Sequence, residues 1–134
     1  MKKFLSIFIL VAGLVMGANA QRASVFPLIS ADSLTNADTV TKILPATAGY
    51  AGVIINPVVT KVSGTGAGSV VLYQSLDGTN YSSTGDTLSL TDVAAQQAFW
   101  VKTSPLPVYY KVVGISSGTV VEILRVYYVF RRHD

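Results

Sequence analysis

The residues Thr119–Arg132 read TVVEILRVYYVFRR and form a long β-rich run near the C-terminal end of the chain. In an extended strand, successive side chains point to opposite faces. One face would carry Val121, Ile123, Arg125, Tyr127 and Val129, and the other Val120, Glu122, Leu124, Val126, Tyr128 and Phe130. Both faces are mostly apolar, whereas a strand of a small sandwich normally has one polar face. The sequence therefore predicts that the second face is covered, either by the N-terminal segment or by another subunit.

Outward from this run, shorter β-rich segments alternate with clusters of Gly, Ser, Thr, Asn, Asp and Pro. No segment after residue 20 has the pattern of a helix of useful length, and residues 91–98 fit either a loop or a single helical turn. The alternation predicts an all-β fold. We expect an antiparallel β-sandwich, Ig-like or jelly-roll-like, of roughly seven or eight strands.

The core of this sandwich should come from one face of each strand, and the sequence leaves open which of the two faces points inward. The candidates are Val53, Ile55, Val59, Val71, Tyr73, Trp100, Val112, Ile123, Val126 and Tyr128. Two β-rich halves, 50–55 and 58–62, are separated by Asn56-Pro57. Because proline cannot donate to a strand ladder, Pro57 indicates a bend, a bulge or a strand switch.

The first twenty residues, MKKFLSIFILVAGLVMGANA, have the three parts of a secretory signal. Two lysines precede an apolar run, and Ala18 and Ala20 supply the small side chains that signal peptidase requires. The apolar run is shorter than the roughly 17 to 25 residues of a spanning helix. We therefore predict cleavage before Gln21, no transmembrane anchor afterwards, and a secreted, cell-surface or periplasmic location in a bacterium.

The predicted domain organisation follows from this cleavage. Residues 1–20 are the signal peptide, 21–38 a flexible N-terminal arm or an added edge strand, and 39–134 the β-sandwich domain. The whole chain has a formal charge of +3. Without Lys2 and Lys3, eight basic residues remain against seven acidic ones, a formal charge of +1. The basic character belongs largely to the signal, so the sequence gives little support to nucleic-acid binding.

The segment Val70–Tyr81, VVLYQSLDGTNY, contains the strongest turn signal of the chain. Asp77-Gly78 between extended segments predicts a hairpin, because Gly78 accepts positive φ and Asp77 accepts from nearby N–H groups. Tyr81 is expected to pack over the turn. The segment resembles the Ser-x-Asp-Gly-x-x-Trp hairpin of discoidin-like carbohydrate-binding modules. It is also similar to a strand of small β-sandwich proteins of bacteriophage particles and their prophage relatives. The resemblance is limited to about residues 70–81 and implies a β-sandwich hairpin.

Residue types that carry catalysis are scarce. The chain has no cysteine and one histidine, His133, which excludes a disulfide framework, a zinc cluster and a thiol nucleophile. Phosphate-loop and HExxH motifs are absent. Glu122 is the one acid on an apolar strand, where a Lys or Arg on an adjacent strand would explain it. Asp77, Asn80 and Asp86 offer too few oxygens for calcium. We expect no enzyme, no cofactor and no metal.

Two groups of residues are candidates for a ligand or interface. Three adjacent aromatic pairs lie on predicted strands: Phe99-Trp100, Tyr109-Tyr110 and Tyr127-Tyr128. Each pair places one ring on each face, so one ring of each pair is available for sugar stacking or for a subunit interface. The hairpin and a small basic cluster complete the set. The candidate residues are Asp77, Asn80, Tyr81, Trp100, Tyr109, Tyr127, Arg125 and Arg131.

Three functions fit these features. The first is an exported, non-catalytic structural or assembly protein that self-associates at the bacterial surface or exterior, in a filament, layer or surface complex. Its partners would be further copies or other exported subunits. The second is a carbohydrate-binding or adhesive module with a surface glycan as partner. The third is a phage- or prophage-derived virion structural protein, which gene neighbourhood would separate from the others.

Overall fold

A computed structural model describes residues 27–132, so the predicted signal peptide lies outside the described residues. This part of the chain contains nine strands and no helix. The strands are β1 (Leu28–Thr35), β2 (Thr39–Ile43), β3 (Tyr50–Gly64), β4 (Gly68–Ser75), β5 (Ser82–Leu90), β6 (Ala95–Gln97), β7 (Trp100–Thr103), β8 (Tyr109–Ser116) and β9 (Val120–Arg132). Within residues 27–132, no helix is long and apolar enough to cross a membrane.

The strands form two antiparallel sheets that pack into a sandwich, which confirms the predicted fold class. The larger sheet has the order β1-β9-β3, and both β6 and β7 pair with the far edge of β3. The smaller sheet has the order β2-β8-β4-β5. The hairpin predicted at Asp77-Gly78 joins β4 and β5, with residues 76–81 as its loop.

Pro57 lies inside one continuous strand, β3, at the point where the sequence predicts a bend, a bulge or a strand switch. On one side β3 pairs with β9 without interruption at this point. On the other side its partner changes, from β7 opposite residues 52–55 to β6 opposite residues 58–60. Pro57 lies at that junction, where the strand ladder does not require a backbone N–H group, which proline lacks. Its carbonyl accepts from the Ala98 N–H at 3.2 Å, and the Asn56 side chain donates to the Ala98 carbonyl at 2.7 Å.

The core lies between the two sheets, and the structure settles the parity of each strand. Among the predicted core residues, those buried are Val53, Ile55, Val59, Trp100, Val112 and Val126, and Tyr128 packs partly buried against them. In β4 the buried positions are Val70 and Leu72, so Val71 and Tyr73 face outward. Ile123 also faces outward, because Leu124 and Val126 belong to the inner face of β9. Alternation along a strand allows only one of the two sets to point inward.

The sequence left open whether residues 21–38 form a flexible arm or an added edge strand, and residues 28–35 form an edge strand. This strand, β1, pairs with β9, and its Leu34 is completely buried. Leu34 packs where β8 carries Gly114: a β-carbon at Gly114 would lie 3.1 Å from one Leu34 methyl and 2.8 Å from a Leu124 methyl. The missing side chain of Gly114 makes room for Leu34, which anchors β1. Residues 21–26 lie outside the described part of the chain.

Glu122 is buried on the inner face of β9, with 1% of its surface exposed. Lys61 lies directly opposite on β3, as expected for an adjacent-strand partner, but its ammonium group is 2.7 Å from Asp92. Within residues 27–132, Oε2 of Glu122 has no hydrogen-bond partner. Burial raises the pKa of Glu122 above its ordinary value; Lys61 lowers it in part and the Asp92 charge raises it further.

The anchoring role of Leu34 predicts an asymmetry within β1. Leu34→Ala should lower the free energy of unfolding by about 2–5 kcal/mol, because it leaves a cavity between the sheets. Leu28→Ala, at an exposed position of the same strand, should change it by at most about 1 kcal/mol. Urea denaturation of protein lacking residues 1–20 measures both. Equal effects would show that β1 is not anchored at Leu34.

The raised pKa of Glu122 predicts a pH dependence with a defined sign. Because the folded state favours the protonated carboxyl, the free energy of unfolding should fall as the pH rises from 4.5 through the raised pKa. Glu122→Gln cannot lose a proton, so its stability should not show this decline. Four aspartates have a lowered pKa: Asp32, Asp77, Asp86 and Asp92. Their contribution to the free energy of unfolding is lost as the pH falls below about 4, so they do not affect the comparison above that pH. Denaturation curves of both proteins between pH 4.5 and 7 provide the comparison, and parallel curves would contradict the prediction.

Candidate binding surfaces

The structure distributes the predicted site residues over three places. Asp77, Asn80, Tyr81 and Tyr109 lie together at the hairpin end of the smaller sheet. Arg125, Tyr127 and Arg131 lie on the larger sheet, on strand β9. Trp100 is 7% exposed and belongs to the core, so its ring is not available as a binding platform.

The hairpin loop 76–81 is held together by Asp77. Its Oδ1 accepts from the N–H groups of Thr79 and Asn80, both at 2.8 Å, and from the Ser75 hydroxyl at 2.8 Å. Its Oδ2 accepts from the Asn80 side-chain amide at 2.7 Å. Because these hydrogen bonds favour the charged carboxylate, they hold the pKa of Asp77 well below its usual range. The bonds from the Asn80 and Thr79 N–H groups make the largest contribution. Asp77 is thus a carboxylate whose charged form is stabilised by the loop that it organises.

Gly78 has φ of +74°, as the turn signal predicts. A β-carbon there would lie 3.3 Å from the ring of Tyr109, so Tyr109 is the aromatic side chain that packs against this glycine. Tyr81, predicted to cover the turn, has its ring 4.2 Å from the ammonium group of Lys111. The same ammonium group lies 5.3 Å from the ring of Tyr73. We call Tyr73, Tyr81, Tyr109 and Lys111 the tyrosine cluster.

A cleft of about 630 Å³ opens beside the hairpin loop, between it and residues 105–107. One wall is polar, with Gln74, Ser75, Asp77, Asn80 and Ser82, and the other contains Leu76, Pro105, Leu106 and Pro107. Oδ1 of Asp77 is occupied by three hydrogen bonds within the loop, whereas Oδ2 accepts one, so the carboxylate contributes negative charge and one remaining acceptor position.

The outer side of the larger sheet carries a groove of about 360 Å³, lined by Ile54, Asn56, Phe99 and Tyr127 and bordered by Tyr128, whose side chain packs against the core. We call it the outer groove. Its lining is almost entirely apolar, and Phe99 stands beside it with 65% of its surface exposed. Sequence reasoning identified Tyr127 here but missed Phe99 as the exposed member of the Phe99-Trp100 pair, because the parity of that pair is set by the pairing of β7 with β3.

The surface around the outer groove is also apolar. Val101 of β7 is 61% exposed, and Leu28 of β1, opposite Tyr127 in the strand register, is exposed as well. Arg125 lies on the same face of β9, two residues before Tyr127, and its guanidinium group reaches the Thr60 hydroxyl at 3.5 Å. Side chains alternate between the two faces along each strand, and the strand register shows which residues share a face. Together they place no acidic residue of 27–132 on this face. The face combines apolar side chains with positive charge.

Most other acids are already paired within the molecule. Asp32 lies 3.0 Å from the buried Lys42, and Asp92 pairs with Lys61. Asp86, weighed as a calcium ligand, forms an ion pair with Lys102. In the described range, no three His, Cys, Asp or Glu residues are grouped so as to hold a metal ion.

Comparison with known proteins identifies the fold and no family. No protein-family model matches the chain, and no curated protein matches it either. A mitogen from Yersinia pseudotuberculosis superposes with a TM-score of 0.53 at 9% identity, over 82% of this chain and 89% of that one. A CBM4 carbohydrate-binding module gives a TM-score of 0.47 at 11% identity, over 75% and 82%. A Bacillus endospore appendage protein, from disulfide-linked pili, gives 0.40 at 11%, over 84% and 96%. The likeness to the mitogen, at 9% identity, shows a shared fold and nothing about function.

Proposed function

We propose that this chain is an exported, non-catalytic structural module that associates with further copies through the outer face of its larger sheet. One observation carries the proposal: the outer groove and the exposed Phe99 and Val101 beside it. Contiguous apolar surface on a small domain is characteristic of interaction sites. Covering one large apolar side chain contributes about 1.5–3 kcal/mol, and several such contacts together are needed to offset the freedom that two copies lose on association.

The chemistry of the outer groove favours a protein partner over a sugar. A glycan presents hydroxyl groups that must exchange their water for protein hydrogen bonds, or the binding loses free energy. Apart from its tyrosines, the groove contains one polar side chain, Asn56, and the amide nitrogen of that side chain already donates to the Ala98 carbonyl. An apolar protein surface requires no such partners.

The state of the carboxyl groups supports a role without catalysis. Acid–base hydrolysis of a glycoside needs two available carboxyls with different pKa values. In the described residues, Asp77 is engaged by its own loop and Glu122 is enclosed in the core. Asp32, Asp86 and Asp92 are engaged in ion pairs. Asp38 is exposed and accepts from the Thr39 N–H at 2.7 Å, so it would be a single available carboxyl without a partner for this chemistry.

Self-association through this face predicts a concentration-dependent mass for the purified protein lacking residues 1–20. Sedimentation analysis from low to high concentration should show growth beyond the monomer. Phe99→Ser should weaken this association by about 2 kcal/mol or more, roughly thirtyfold, as truncation of a central aromatic anchor does. A monomer at every concentration would contradict the proposal.

The matched control is Ile43→Ser. Ile43 is an exposed apolar residue on β2, in the smaller sheet. It should leave the association constant unchanged. If both variants weaken association equally, the effect comes from general surface hydrophobicity and the outer groove has no special role.

The tyrosine cluster favours a second candidate function, the binding of a surface glycan. The rings of Tyr73 and Tyr81 lie beside the Lys111 ammonium group on the outside of the smaller sheet. Ser83 lies opposite Tyr73 in the register. Aromatic faces next to hydroxyl and ammonium donors match the apolar faces and hydroxyl groups of sugars.

Glycan binding at this cluster predicts specific loss in two variants. Tyr81→Ala and Lys111→Met should each reduce binding on a glycan array by about tenfold or more, since each removes a ring or a donor from the site. Phe99→Ser, on the other sheet, should leave the signal unchanged. Binding that survives both cluster substitutions would exclude the tyrosine cluster as the glycan site.

A further inference from the structure

We infer that the copies associate head to tail, with the hairpin loop 76–81 of one copy seated in the outer groove of the next. This inference rests on the proposed self-association and names the surface that covers the groove. It follows from the charge on the face around the groove and from the chemistry of the hairpin tip.

A face-to-face contact between two identical outer grooves is unfavourable. A twofold contact places the same patch of both copies together. It would bring the two Arg125 side chains onto one apolar interface, and neither copy has an acidic residue on this face within residues 27–132. Enclosing two guanidinium groups without a carboxylate leaves their charges uncompensated, which is strongly destabilising. Arg125 lies beside the groove rather than in its lining, so an occupant that supplies both apolar surface and an anion fits this face better than a second copy of the same face.

The hairpin tip supplies both in adjacent residues. Leu76 is 76% exposed, the most exposed large apolar side chain in the described range. Asp77 beside it is ionised and has no ion-pair partner among the described residues. Leu76 matches the apolar lining of the groove. Asp77 matches Arg125, which neighbours Tyr127 along the same face of β9.

The two surfaces belong to different sheets, so one molecule cannot bring its own hairpin into its own groove. The hairpin joins β4 and β5 of the smaller sheet, whereas the groove opens on the outer side of the larger sheet. Each copy thus offers one hairpin and one groove to two different neighbours. A contact of this heterologous type extends into an open filament or closes into a ring.

A mixing experiment tests the arrangement. Leu76→Asp should disable the hairpin while leaving the groove intact, and Phe99→Asp should disable the groove while leaving the hairpin intact. Each variant alone should be monomeric at concentrations where the unmodified protein forms large assemblies. A one-to-one mixture should form a species of two chains and nothing larger, because one intact hairpin meets one intact groove. Light scattering coupled to size-exclusion chromatography gives these masses.

The controls separate this inference from the proposed function. Ile43→Asp adds the same charge at another exposed apolar residue and should assemble normally; urea denaturation should show all three variants to be folded. If Leu76→Asp assembles like the unmodified protein, or if the mixture stays monomeric, the hairpin contact is wrong while self-association stands. If Ile43→Asp disrupts assembly equally, the specific contact is also overturned. If the unmodified protein is monomeric throughout, both the inference and the proposed function fail.

Discussion

The pairing of β3 with β9 is the interaction on which the rest of the molecule depends. The two strands remain in register from Tyr50 opposite Arg132 to Gly64 opposite Val120, with two local irregularities. Their inner faces carry much of the core, including Ile55, Leu124 and Val126. Every other strand of the larger sheet is attached to this pair: β1 to β9, and β6 and β7 to β3. A long central ladder therefore fixes which residues face inward and which form the outer groove.

The same ladder explains why the two apolar faces of β9 have different chemical roles. The inner face is enclosed by the smaller sheet, and Glu122 is its one acidic member. The outer face is flanked by β1 and β3 and remains open above Ile54 and Tyr127. The sequence pattern predicts a cover for this second face from the N-terminal segment or a subunit. β1 extends the sheet sideways by pairing with β9, so it lies beside the outer face instead of covering it.

The sequence allowed prediction of the fold class and the hairpin, because both depend on local signals: alternation along strands and the Asp77-Gly78 turn. It did not allow prediction of the parity of β4 or of Ile123, since both faces of those strands are apolar and only the position of the opposing sheet decides between them. The sequence did not decide whether the β1 segment is an arm or an edge strand, for a similar reason. Leu34 is buried in space left by Gly114, which is eighty residues away in the sequence. The grouping of Phe99 with Tyr127 likewise arises from tertiary pairing that no local pattern carries.

The hydrogen bonds inside the hairpin loop affect more than its shape. Asp77 fixes the backbone of Thr79 and Asn80 from within, so the loop is already ordered before anything touches it. A flexible loop would lose conformational entropy on binding to another molecule, and that loss would make the free energy of binding less favourable. A preorganised tip avoids most of it. Consequently, Leu76 is carried on a loop whose backbone is held in one conformation, and the strength of any contact made there depends on how well the neighbouring surface fits it.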